Sequence, residues 1–182
     1  MFDEYTTSDL IGAVALINEG TPGWRRGHPY TPPDNLSSEF MSQDHVWASS
    51  GANAEQTAAA ARLVRRVAEA CAATKLTQAV SELNQALHDL APFPIFSRHG
   101  QDYRLHYHAQ SNIATDNRMV AYLVALGTLI TWKEWHRLGS CNAKRCDRMY
   151  IDLTRNASKR FCSAACMTRT KVAASRARLI QK

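Results

Sequence analysis

Four of the five cysteines of this 182-residue chain fall between positions 141 and 166, in two close pairs. Four residues separate Cys141 from Cys146, three separate Cys162 from Cys166, and fifteen lie between the pairs. Such spacing lets each pair reach one ion from a single turn, and the interval is long enough for a hairpin that brings the pairs together. That is the pattern of a closed tetrahedral site with four thiolates, holding one structural Zn²⁺ per chain. A disulfide switch would not need two pairs around a basic hairpin. Catalytic zinc needs an open coordination position, which four thiolates do not leave, so Asp147 and Asp152 are not read as acid–base groups. Asp152 is expected to order the turn around Arg155 and Asn156, or to pair with an arginine. Cys71 stands apart and reads as a small core residue.

Within the interval, residues 149–153 are extended in character, residues 154–158 form a turn cluster, and residues 159–161 read as a return strand. Tyr150 and Phe161 are the candidate small core. Residues 163–179 are Ala-rich without Pro or Gly, so the second pair opens a helix. Knuckle, hairpin and a pair at a helix N-terminus make a treble-clef-like zinc finger. On the helix, Lys171, Arg178 and Lys182 share one stripe and Arg169 and Arg176 another, with Val172 and Leu179 between them as an expected docking stripe.

Charge separates this module from the rest. From Lys133 onward there are 13 basic and 3 acidic residues, a net of +10, whereas residues 1–132 carry a net of −4. An acidic body with a basic end suggests binding to a polyanion. The planar fork of arginine suits phosphate and guanine contacts. The candidate DNA contacts are Lys144, Arg145, Arg148, Arg155, Lys159, Arg160, Arg169, Lys171, Arg176, Arg178 and Lys182. Arg169, near the helix start, is the expected base reader, and Lys171, Arg178 and Lys182 are expected on phosphates. DNA is preferred over RNA as the partner, in double-stranded form, because the module lacks the exposed aromatic platforms that single-strand readers use.

The body reads as mainly α with one small β-hairpin. Residues 8–19 are compatible with helix or strand. Residues 21–33 are rich in Pro and Gly and read as a loop, whose Trp24, Arg25, Arg26, His28 and Tyr30 either anchor it to the core or line a ligand pocket. A short helix is expected around Met41, Val46 and Trp47. Helices are expected over residues 55–73 and over 76–90, the second ended by Pro92 and Pro94. Residues 94–108 alternate as a hairpin with His99 in its turn and His106 and His108 on one face, read as exposed strand histidines rather than metal ligands. A long helix is expected over residues 117–138, with Asp116 as N-cap and Gly139 closing it. The domain boundary falls near residue 138, giving a helical unit over 1–138 that folds without zinc and a finger over 139–182. No apolar run is long enough to span a membrane, the acidic N-terminus lacks a signal-peptide pattern, and clustered thiols suit a reducing cytoplasm.

Cys141-x4-Cys146, residues 150–156 (Tyr-Ile-Asp-Leu-Thr-Arg-Asn), Arg160-Phe-Cys162-Ser163 and Cys166-x-x-Arg169-x-Lys171 resemble the CGNR-type zinc finger found at the end of bacterial stress-induced transcription regulators. Met167-Thr168 stands where that family has Gly-Asn, Phe161 where Trp is usual, and Thr154 where Ser is usual. The first 138 residues resemble, more loosely, the helical ABATE domain that accompanies this finger. The resemblance implies a cytoplasmic, zinc-containing DNA-binding regulator whose body senses a small-molecule effector or mediates association, including homodimerisation. The alternative is a protein–protein adaptor gripping an acidic partner. Neither a nucleophile elbow nor a phosphate-binding glycine loop is present, so the chain is not read as an enzyme.

Overall fold

The computed structural model describes residues 2–34, 36, 53–111 and 113–180. The helix expected around Met41, Val46 and Trp47, and Lys182, lie outside the described residues.

The first helix, α1 (Glu4–Gly20), is capped by Asp3, whose carboxylate accepts from the Thr6 amide at 2.7 Å. Leu10, Ala13, Leu16 and Ile17 recur at helical spacing and are wholly buried, which settles the helix-or-strand alternative. The Pro/Gly segment that follows is not plain loop. It holds a tight hairpin, β1 (Gly23–Arg25) antiparallel to β2 (His28–Tyr30), turned by Arg26 and Gly27 at positive φ. Helix α2 (Ala54–Ala72) starts with a reciprocal capping box between Asn53 and Gln56. Helix α3 (Leu76–Leu90) ends at Ala91, just ahead of Pro92. The hairpin β3 (Phe93–His99) and β4 (Asp102–His108) leads to α4 (Ala114–Thr131). A 3₁₀ turn (Trp135–Arg137), β5 (Leu138–Ser140), β6 (Met149–Ile151) and α5 (Ala164–Ile180) complete the chain. The protein is mainly α, with three separate two-stranded sheets among the described residues.

The core lies between α1, α2 and α4, with α3 packed against α2 and α4. Leu10, Leu16, Ile17, Val64, Val67, Leu123, Leu126 and Leu129 fill it. Gly12 lets α1 and α4 approach closely, because a Cβ there would lie 2.6 Å from the Tyr122 hydroxyl.

Several elements differ from the sequence reading. The long helix begins at Ala114 and stops at Thr131; Asp116 sits in its first turn, accepting from the Ser111 hydroxyl at 2.7 Å, rather than at the cap. Gly139 closes no helix. It lies in β5 beneath the Tyr150 ring, where a Cβ would be 2.7 Å from the hydroxyl oxygen. His106 and His108 are half-buried, not exposed, since β4 turns Arg104, His106 and His108 toward α1 and α4. There Arg104 stacks over Tyr5 at 3.8 Å and His106 meets the same ring edge-on. Among the described residues, no helix is long and apolar enough to cross a membrane.

The C-terminal module is built onto this core. Leu138, Met149 and Ile151 are buried in the same apolar cluster as the helices. Asn18 of α1, also buried, donates through Nδ2 to the Met149 carbonyl at 2.9 Å and accepts from the Met149 amide at 2.8 Å. A side-chain amide thus pairs with β6 as a neighbouring strand would.

Candidate metal centre

The knuckle between β5 and β6 presents the first two thiols. The Cys141 amide donates to the Arg148 carbonyl at 2.9 Å, closing the loop, and Arg145 takes a positive φ of 53° to tighten it. The second pair sits at the start of α5, where Ser163 Oγ accepts from the Cys166 amide at 3.4 Å. The two halves meet through the Cys162 amide, which donates to Cys141 Sγ at 3.4 Å, and the Asn142 amide, which donates to the Arg160 carbonyl at 3.0 Å.

The four sulfurs all lie within 4.8 Å of one another. Cys146–Cys162 and Cys146–Cys166 are 3.8 Å apart and Cys162–Cys166 3.7 Å, sulfur to sulfur. A tetrahedron with Zn–S bonds of about 2.3 Å has S···S edges of about 3.8 Å. These separations therefore fit a zinc ion, and they are far beyond the roughly 2.05 Å of a disulfide. The surroundings match a structural site: Cys141, Cys146 and Cys166 are buried with Ala143, and Phe161 packs against them. Among the described residues this is the only cluster of three or more His, Cys, Asp or Glu side chains that could hold a metal. None of the five cysteines is in a disulfide, and Cys71 lies in the helical core with its pKa pushed up to about 11 by burial.

Ionisation within the cluster is uneven. Burial and the neighbouring thiols push Cys162 up to about 12, and burial raises Cys141. Burial also opposes ionisation of Cys166, yet hydrogen bonds from Ser163, the neighbouring thiols and Arg169 bring it down to about 7. Four thiols packed this closely do not ionise together unaided; a divalent cation supplies the compensating charge and displaces the protons.

Asp152, 1% exposed, organises the loop between β6 and the second pair. Its carboxylate accepts from the Thr154 amide and hydroxyl at 2.9 and 2.6 Å and from the Lys159 amide at 2.6 Å. Burial works against its charge, but these donors hold its carboxyl below the usual range. Arg137 braces the same loop, donating to the Thr154 carbonyl at 2.6 Å. Residues 159–161 consequently form no return strand; β6 pairs instead with β5, ahead of Cys141. The Lys159 carbonyl accepts from the Tyr150 hydroxyl at 2.7 Å and the Arg160 carbonyl from the Asn142 amide at 3.0 Å, so the backbone there is engaged outside any ladder with β6.

The β1–β2 hairpin docks on the knuckle. The Asp147 amide donates to the Trp24 carbonyl at 2.8 Å, the Trp24 amide to Asp147 Oδ2 at 2.7 Å, and the Gly27 amide to the Arg145 carbonyl at 2.9 Å. Arg145 lies over the Trp24 ring at 4.9 Å. Glu19 gathers Arg25 at 2.7 Å, Arg148 at 3.1 Å and the Tyr30 hydroxyl at 3.1 Å. Of the five residues considered for a ligand pocket, Trp24, Arg25 and Tyr30 are thus bound to groups of the chain itself, while Arg26 and His28 are exposed.

The cations divide in the same way. Lys144, Arg145, Arg155, Lys159, Arg160, Lys171, Arg176 and Arg178 are exposed, and among the described residues none of them is in an ion pair. Arg148 and Arg169 are half-buried and turn inward. Val172 and Leu179, expected to dock α5, are 43% and 72% exposed, so the helix beyond its first turns stands clear. The sequence reading missed Asn18, Asp147 and Gly27, whose roles depend on contacts far apart in the chain. Ser163, just before the helical run, was the legible one.

Fold and site together define a helical body carrying a C-terminal four-cysteine zinc module, a knuckle between two short strands joined to a cysteine pair at a helix N-terminus. Residues 137–179 match the family model of the CGNR zinc finger, from the 3₁₀ turn through nearly all of α5. No curated protein matches the chain.

Proposed function

We propose that the protein is a bacterial DNA-binding transcription regulator in which zinc is structural. The observation that carries this reading is the set of exposed cations, unpaired among the described residues, around the module and along α5. Lys171 and Arg178 share one stripe of that helix, and the ion fixes the direction in which the helix leaves the module. A duplex carries a phosphate charge about every 1.7 Å of axis, so such an array gains affinity by releasing counterions. On this reading the protein acts in the cytoplasm, without catalysis, as a homodimer on two half-sites. The body is the ABATE-like part and takes a small-molecule effector. A cleft of about 740 Å³ between α1, β4 and α4, lined by Arg104, His106, His108 and Asn117, offers the room.

The exposed Val172 and Leu179 favour one second reading, an adaptor whose α5 lies along an acidic, partly apolar partner. Selection of duplexes by the zinc-loaded full-length protein separates the two. A regulator enriches a shared motif, and Lys171→Ala or Arg178→Ala weakens all duplexes alike while lowering the salt slope by roughly one unit each. Absence of any sequence preference in the parent, with parent-like salt slopes in both variants, rejects the DNA reading.

A further inference from the structure

The guanidinium of Arg169 sits where a DNA contact would be least use and a metal centre most. Its Nε and Nη2 are buried and, among the described residues, have no hydrogen-bond partner. Buried unpaired donors of a charged group are costly, so an arginine held this way implies an acceptor that the bare polypeptide does not fully supply. Arg169 lies three residues after Cys166 on α5, one turn along and therefore on the same face of the helix. Its other side meets the β1–β2 turn: a Cβ on Gly27, which has φ +98°, would be 3.3 Å from Arg169 Nη1.

Four thiolates around Zn²⁺ leave a formal charge of −2 in a buried site. Nearby donors offset that charge; the Cys162 amide, which faces Cys141 Sγ, is one such donor. We propose that Arg169 is a positioning residue of the metal centre: its buried guanidinium donates to the Cys166 thiolate, offsets the charge of the zinc–thiolate cluster, and ties that cluster to the Gly27 turn of the body. The consequence is that metal loading and the seating of the β1–β2 hairpin are coupled through one side chain. This inference rests on the zinc site alone and stands or falls separately from DNA binding.

The test uses the full-length protein loaded with Zn²⁺ or Co²⁺. Arg169→Gln is expected to lower zinc affinity by about 10–100-fold in competition with a chromophoric chelator, the range typical of groups that hydrogen-bond to metal ligands. Its cobalt form should show the thiolate-to-metal charge-transfer band shifted to lower energy, since losing a donor raises the sulfur lone pairs. Arg169→Lys should recover part of both, and Lys171→Gln, on the exposed face, should change neither. Parent-like affinity and an unshifted band in Arg169→Gln would overturn the proposal. Should that variant fail to fold, the parent loaded with ¹¹³Cd decides by NMR. A slowly exchanging Arg169 Nε or Nη proton coupled to the metal supports the proposal, and fast exchange of all its side-chain protons, as in free arginine, refutes it.

Discussion

Replacing Asn18 by alanine removes the one side chain that pairs with both backbone groups of Met149. Met149 is 1% exposed, so neither its amide nor its carbonyl finds water in the amide's place. Each buried backbone group left unpaired costs about 1–3 kcal/mol, which puts the loss at about 2–5 kcal/mol after partial relaxation. For a chain of this length a kcal/mol corresponds to about 2–4 °C of melting temperature, so a fall of about 4–20 °C is expected. The clamp joins α1 to β6, and Met149 belongs to the apolar cluster of the helices. The whole zinc-saturated protein should therefore lose stability, not the finger alone. Urea unfolding followed by far-UV circular dichroism reports the helices, and amide exchange at Met149 and Ile151 reports the module. A loss under about 0.5 kcal/mol would refute the reasoning. So would faster exchange confined to β6 while the helices unfold at the parent midpoint.

Cys141→Ser, Cys146→Ser, Cys162→Ser or Cys166→Ser should each abolish stoichiometric zinc, whereas Cys71→Ala should retain one ion per chain by metal analysis. Asp152→Asn should cost about 1–3 kcal/mol at neutral pH, because it weakens the acceptor of three short hydrogen bonds. The depressed folded-state pKa of Asp152 gives stability that is present above the unfolded value of about 3.9 and lost as pH falls through the folded value. The gap between parent and Asp152→Asn melting temperatures should hold from pH 7 to 5 and close below about pH 4. A chain ended at residue 138 should melt below the full-length protein, since it uncovers the surface of α1 and α2 that β5 and β6 pack on.

The cysteine spacing alone specified the ligand set, because thiolates four to twenty-five positions apart have little other reason to cluster so tightly. Helical periodicity likewise placed α2 and α3 to within a residue or two, since the apolar positions of an amphipathic helix are a local signal. Local signals also named Asp152 as the organiser of its turn. Other features needed the folded chain. Which strand pairs with β6 is decided by competition: the Asp152 carboxylate, Tyr150 and Asn142 occupy the backbone of residues 159–160, leaving β5 as the partner. The inward turn of Arg169, the reach of Asn18 to Met149 and the docking of residues 23–30 on the knuckle are all long-range contacts. Sequence fixes the charge and periodicity of each segment, but the direction of a side chain that can face solvent or core depends on what the fold brings against it. Arg169 and Lys171 are both cations two residues apart on one helix; only the packing of the Gly27 turn against that helix separates the one turned inward from the one left to solvent.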